Sequence, residues 1–257
     1  MDINLQIQKS FFQSWLEMVI HFSIYWLGFA ILIYLVTEFY KNRWSNFKIQ
    51  SKQSDKAQIT FEFIHFFLTL IVFGFVAALV NTQVLSTTTP RPPAHDFSYL
   101  RFIGELILLI LIHDCYFYFT HRLLHWGPLY KYVHSVHHQS ANPSAFAALS
   151  FHPIEAFVQI LIVLLVSFIP GIQMQSILVF RDITFLINIY GHCGYEVCPK
   201  NLLGSVGKVL VTGVMHNHHH MLARDNYGLY TTLWDRVFKT FNANPLFDFI
   251  GKRASSS

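Results

Sequence analysis

Residues 102–125 read FIGELILLILIHDCYFYFTHRLLH. From Phe102 to Phe119 the run is apolar enough for a helix through a bilayer, and at 1.5 Å per residue it reaches about 27 Å. Ionisable groups interrupt it: Glu105 lies near its start, and His113 and Asp114 lie deep within it. Such groups are costly at membrane depth and usually face the interior of a helix bundle. The stretch then ends in His121 and His125. Four residues apart, they share a face if the helix continues past the membrane.

The rest of the chain agrees with a membrane setting. It has 257 residues, 53% of them hydrophobic and 12% charged, against about 25% charged in ordinary soluble domains. Met18 to Thr37 carries no formal charge, and neither does Phe63 to Thr89. Each is long enough for one crossing. A Thr/Pro turn region, Thr87 to Pro93, ends the second. Ala156 to Phe180 is also uncharged but is broken at Pro170-Gly171, which predicts a hairpin over 153–190 with short arms that cross or dip in and return. The fold class that follows is an all-α membrane protein of about four to five transmembrane or re-entrant helices with a cytoplasmic histidine-rich helical cap. Its expected parts are N-terminal transmembrane helices (1–101), a catalytic region (102–245) and a C-terminal tail (246–257).

Topology is read from Lys and Arg. The segment between the first two runs holds Lys41, Arg43, Lys48, Lys52 and Lys56, whereas residues 86–101 hold only Arg91 and Arg101. The first loop is therefore expected in the cytoplasm, and residues 120–152 and 191–257 on the same side. The net charge of +4 is assigned to that face. No basic stripe with interleaved aromatics suggests nucleic acid. Cys115, Cys193 and Cys198 form no Cys-x-x-Cys pair and read as small buried hydrophobes. The start of the chain lacks a signal-peptide pattern.

Two further histidine clusters accompany the first. His134, His137 and His138 carry offsets of 0, 3 and 4, and His216, His219 and His220 repeat them. With the expected topology all eight lie on one side of the membrane. Imidazole is the commonest biological metal ligand, and eight exceed what one ion coordinates, so two metals at about four nitrogens each are expected. Asp114, two turns before His121, is placed to accept a ligand histidine's remote N–H and so fix its tautomer. His113 reads as a hydrogen-bond partner, and His218 falls off the shared face as a surface or supporting residue. His192 and His152 each stand open between ligand and satisfied interfacial histidine. His21, His65 and the exposed His95 read as structural.

All-nitrogen sites suit zinc, copper, iron or nickel. A structural zinc site usually includes cysteine, and none stands at ligand spacing here. Two irons that activate dioxygen with two electrons, acting on a lipid from the bilayer, are the expectation; zinc is an expected contaminant of purified protein. Two other readings stand beside it. A histidine-rich metal transporter would place its ligands near mid-membrane. A zinc-dependent membrane hydrolase would need a carboxylate base, for which Glu155 and Glu196 are the candidates, yet neither lies in a His-Glu-x-x-His arrangement.

At these residues the chain resembles the fatty acid hydroxylase superfamily, in particular its sterol desaturase branch and sterol C-5 desaturases. The resemblance runs from Asp114 to Phe241. It comprises Asp114 to His125, Tyr130 to His138, the phrases Ser-Phe-His-Pro-Ile-Glu and Gly-His-Cys-Gly-Tyr-Glu, His216 to His220, and Asn226 to Arg236. It implies a non-haem di-iron oxidoreductase, a monooxygenase or desaturase, that uses O2 on a lipid or sterol-like substrate. The eight cluster histidines are its implied iron ligands. The resemblance also raises His192 to a ligand and leaves His152 a candidate. Electrons are implied to come from a separate cytochrome or ferredoxin with its reductase. Features of some eukaryotic members, a long N-terminal extension and C-terminal retrieval signals, are not found, which favours a bacterial inner membrane over the endoplasmic reticulum.

Overall fold

The computed structural model describes residues 10–81 and 97–254. The expected turn at Thr87 to Pro93 and His95 lie outside them. Three helices are long and apolar enough to cross a membrane by length and composition. The first, α1 (Phe11–Phe39), passes through a π-helical turn at Ser23–Leu27. It starts at a capping box: the Ser10 hydroxyl accepts from the Gln13 N–H, and the Gln13 side chain accepts from the Ser10 N–H. The others are α2 (Lys56–Asn81) and α3 (Tyr99–Leu124). All three start ahead of their apolar runs, and α3 carries the helix beyond Phe119 through His121.

The expected hairpin is present as α5 (Pro153–Ser167) and α6 (Met174–His192), following a short α4 (Ser135–His138) that continues a π-helical turn at Tyr130–His134. The 15 residues of α5 reach about 22 Å, short of a bilayer core. Pro170-Gly171 makes the break, with Gly171 at φ +81, a conformation glycine adopts freely. Beyond the hairpin the described residues form α7 (Lys200–Val206), α8 (Gly213–Leu222), α9 (Leu233–Val237) and α10 (Asn244–Ala254). Among the described residues no strand forms, only isolated bridges between Lys48 and Tyr195 and between Leu210 and Thr231.

Apolar burial falls into two main bodies. One lies among α1, α2, α5 and α6, where Phe22, Trp26, Phe66, Leu70 and Phe185 pack together. Trp26 stacks on Phe185 at 4.8 Å between centroids. Meanwhile Phe12, Leu16, Ile24, Leu32 and Leu35 point outward from α1, the pattern of a lipid-facing surface. The second body, Leu203, Val214, Met215, Leu246 and Phe249, holds the cap together. The expected tail from residue 246 is therefore a correction: Leu246 and Phe249 anchor α10 against α7 and α8, and the helix continues to Ala254.

Glu105 explains itself structurally. Its carboxylate accepts from Arg101 Nε at 2.8 Å, from the Gln173 backbone N–H at 3.0 Å and from the Ser176 hydroxyl at 2.6 Å. Arg101 also donates to the Gly171 carbonyl. The acid thus ties the hairpin turn to α3. Glu105→Ala leaves a buried amide N–H without a partner, a loss of about 1–3 kcal/mol. A lowered thermal midpoint in detergent micelles is expected, and an unchanged midpoint would count against this role.

Candidate metal centre

Four separate stretches deliver the histidines. α3 supplies His121 from its last turn and His125 at its C-cap. The π turn and α4 supply His134, His137 and His138. His192 is the last residue of α6, and α8 supplies His216, His219 and His220. α8 starts at Thr212, whose hydroxyl accepts from the Met215 N–H. It ends at Ala223, in the left-handed conformation at φ 51. A Cβ at Gly191 would lie 3.2 Å from His216 Cδ2, so the glycine admits α8 close beside the end of α6.

The nine imidazoles form two groups. His121, His125, His134, His138 and His219 make one; His137, His192, His216 and His220 make the other. Each 0, 3, 4 triplet is split between them. His134 and His138, one turn apart, serve the first group while His137 serves the second; His216 and His220 serve the second while His219 returns to the first. The triplets therefore interlock the two groups.

Within each group the Nε2 atoms converge. His219 Nε2 lies 3.1 Å from the Nε2 of both His121 and His125, and His134 Nε2 lies 3.0 Å from that of His125 and 3.1 Å from that of His138. In the second group His192 Nε2 lies 3.3 Å from His137, 3.0 Å from His216 and 2.9 Å from His220. With metal–nitrogen bonds of about 2.0–2.1 Å, neighbouring ligand nitrogens stand about 2.9 Å apart at right angles and about 3.3 Å apart in a tetrahedron. The observed spacings match the edges of such polyhedra. The donor set is all imidazole and fits zinc, copper, iron or nickel.

On the far side, backbone carbonyls fix the tautomers of four rings. Nδ1 faces the carbonyl of Tyr227 for His121 (2.8 Å), of Asn188 for His192 (2.7 Å) and of Asp225 for His219 (2.7 Å). Ser150 O faces His137 Nδ1 at 3.3 Å. A carbonyl only accepts, so these Nδ1 atoms carry the proton and Nε2 presents its lone pair inward. His134 Nδ1 instead meets the Glu155 carboxylate at 2.7 Å, both fully buried. Burial, with the other imidazoles next, drives the pKa values of His125, His134, His137, His138, His216 and His220 well down; burial alone as the leading cause brings His192 and His219 to about 4. The rings are held neutral, the ligating form.

The remaining candidates fall elsewhere. Asp114 does not reach a ligand histidine: its carboxylate accepts from the Thr231 N–H at 3.0 Å and hydroxyl at 2.5 Å and from the Tyr230 N–H at 3.3 Å. It fastens the 226–236 segment to α3. His113 Nδ1 meets the Tyr230 hydroxyl at 2.7 Å. His152 joins neither group; it caps α5, its Nδ1 accepting from the Ile154 N–H. In the same phrase it is Glu155 that reaches the site. His218 lies outside both groups at the cap surface, on the wall of the cleft lined by Lys48, Gln50 and Met221. Glu196 takes the Tyr190 hydroxyl, the Cys198 N–H and the Val214 N–H at the start of α8, and the described residues place no carboxylate in either group. Glu155, which also lines the histidine void, stands 2.7 Å behind His134 at its Nδ1 rather than among the converging Nε2 atoms.

A narrow, largely apolar cleft of about 40 Å³ lies among α1, α2, α3, α5 and α6, walled by Trp26, Phe73, Ile160, Val163 and Phe180. Next to it a smaller void is lined by His121, His134, His137, His192 and His216. The two share Phe117, Phe151, Gln159 and Asn188 in their walls. Apolar space among the helices thus adjoins the void at the histidine groups, with these shared side chains between the two.

Comparison with known proteins agrees with this arrangement. The fatty acid hydroxylase family matches residues 106–240, just over half the chain. The chain belongs to the fatty acid hydroxylase family. Its relatives include methylsterol monooxygenase 1 of Rattus norvegicus, 31% identical over 88% of this chain and 76% of that protein. Sphinganine C4-monooxygenase 1 of Arabidopsis thaliana is 29% identical over 65% of each chain. The Delta(7)-sterol 5(6)-desaturase of Leptosphaeria maculans is 28% identical over 74% of this chain and 49% of its own. The sterol desaturase branch read from the motifs is thus found among its relatives. The chain spans from about half to three quarters of the length of these three. No solved structure matches it significantly.

Acid should undo the centre in a defined window. Unfolded histidine binds its proton near pH 6.5, and the folded rings of His192 and His219 resist it down to about 4. Between those values the unfolded chain holds more protons, so stability falls as pH falls, and metal is released by competition for the same lone pairs. Titrating metal-loaded protein from pH 7.5 to 4.5, with retained metal and thermal midpoint as readouts, should show both declining below about 6.5. Full retention at 4.5 would contradict it.

Proposed function

We propose that the protein is a non-haem di-iron oxidoreductase that uses O2 to hydroxylate or desaturate a C–H position of a sterol-like or other membrane lipid. The observation that carries this reading is the meeting of two all-imidazole groups with an apolar cleft built by membrane helices. The relatives' names support it: they include monooxygenases and desaturases, and they name both sterols and sphinganine. In this reading His121, His125, His134, His138 and His219 hold one iron, and His137, His192, His216 and His220 hold the other.

When bound, the two irons supply dioxygen reduction with two external electrons and removal of hydrogen from an unactivated C–H bond. The protein's own part is positioning and exclusion. Phe117 and Phe151 stand where cleft and histidine void meet, so they steer a carbon chain or ring toward the centre and keep water from it. Nδ1 partners hold the rings of His121, His134, His137, His192 and His219 in register, and Glu155 raises the donor strength of His134 as a carboxylate behind a ligand imidazole does.

The orientation follows from the basic loop. Gln50 donates to the Asn217 side chain on α8, the Ile49 N–H donates to the Gly194 carbonyl, and Lys48 pairs with Tyr195. The Lys41–Lys56 segment therefore lies against the cap, and the positive-inside rule assigns both to the cytoplasm. A basic face there suits an acidic electron-donor protein, a cytochrome or ferredoxin served by its reductase.

The test is iron-loaded protein in lipid nanodiscs with a reducing system and oxygen, its lipids read by mass spectrometry. A gain of one oxygen or a loss of two hydrogens is expected, with iron and not with zinc. His137→Ala should lose metal and activity together. Full metal content in that variant, or lipids unchanged by the iron-loaded wild type, would overturn the assignment.

A further inference from the structure

His113 lines the apolar cleft, is 2% exposed, and its Nε2 atom has no hydrogen-bond partner. Nothing in the metal centre uses it. Its other nitrogen belongs to a chain of hydrogen bonds whose direction can be worked out. The Thr184 hydroxyl donates its one proton to the Phe180 carbonyl at 2.9 Å. At 2.6 Å from the Tyr230 hydroxyl it can then only accept, so Tyr230 donates to Thr184. The Tyr230 oxygen must in turn accept at 2.7 Å from His113 Nδ1. Nδ1 carries the proton, and Nε2 is left as a lone pair.

We infer that His113 Nε2 is the acceptor for a hydroxyl group of the lipid that occupies the cleft, which makes a lipid alcohol the preferred substrate class. This rests on the proposed reading of the cleft as the substrate site. The cleft is largely apolar, its polar walls being Gln159, Arg181, Thr184 and Asn188 beside His113, and a buried acceptor without a partner carries a penalty that an incoming O–H removes. A ketone or methyl ether brings a second acceptor and leaves both unpaired. The site therefore discriminates by the hydrogen of the hydroxyl, not by the presence of oxygen. His113 lies eight residues before His121 on α3, about 12 Å along the helix axis, with Phe117 between them on both cavity walls. Tyr230 is itself held by Asp114, which accepts its backbone N–H. The His-Asp pair of α3 thus has one member that fixes the 230–231 segment and one that reads the ligand.

Binding, independent of turnover, tests this. Metal-loaded protein in nanodiscs is titrated with tritiated 5α-cholestan-3β-ol and with its 3-ketone, and with 1-octadecanol and its methyl ether, each corrected for partition into protein-free discs. In at least one pair the alcohol should bind about tenfold tighter. His113→Phe, which keeps a ring but no acceptor, should erase the preference while leaving the ketone or ether affinity within about twofold. Tyr230→Phe frees the tautomer and should narrow the preference even if the His113 variant does not fold. A purely structural His113 would change the melting temperature and leave the ratio intact. Equal or absent binding in both pairs for the wild type, or a ratio that survives both variants, would overturn the inference. Because no oxidation is measured, its failure leaves the oxidoreductase reading to its own test.

Discussion

The structure depends on withdrawing nine neutral imidazoles from water, eight buried and His125 half-buried, with their Nε2 atoms converging. The rings must be stripped of water, denied a proton and aimed; burial does the first two, and backbone carbonyls aim several of them. Carbonyls of Tyr227, Asn188 and Asp225 take the Nδ1 protons of His121, His192 and His219. The lone pairs are then forced inward. Burial lowers proton affinity, so the rings do not charge and repel one another. The two groups share both triplets, and displacing α4 or α8 would disturb both together.

The membrane helices serve that constraint. α3 ends in the first group and α6 ends in the second, so the bundle of α1, α2, α5 and α6 sets where the centre lies relative to the apolar layer. Glu105 locks the hairpin turn to the start of α3, and Asp114 locks the 230–231 segment to its middle. Both acids lie in an apolar run for reasons of construction. His113 lines the cleft, and its Nε2 has no hydrogen-bond partner.

Much of this was legible in the sequence because helix periodicity is local. Residues four apart share a face, so His121 with His125, and His216 with His220, could be paired without a structure. Two charge-free runs and the apolar run from Phe102 to Phe119 mark the three candidate crossing helices among the described residues, and Pro170-Gly171 marks the hairpin. The division into two groups was not legible: His137 and His219 cross between groups, and that depends on how α4 meets α8. Asp114 does not serve a ligand histidine because its partners, two backbone N–H groups and the Thr231 hydroxyl, come from over a hundred residues away. His152 shares a phrase with Glu155, and spacing cannot say which of them turns inward. Backbone carbonyls behind the ligands leave no signature in residue type. The packed helix at the C-terminus was read as a tail because Leu246 and Phe249 find their partners only on α7 and α8.

Two interlocked but separable iron sites are the central claim, and metal stoichiometry addresses it most directly. Iron per chain should be measured by mass spectrometry in the anaerobically loaded wild type, in His121→Ala/His134→Ala and in His216→Ala/His220→Ala. Two irons in the wild type and about one in each double variant are expected. A single iron in the wild type, or two retained in either variant, would contradict a binuclear centre built from these nine histidines.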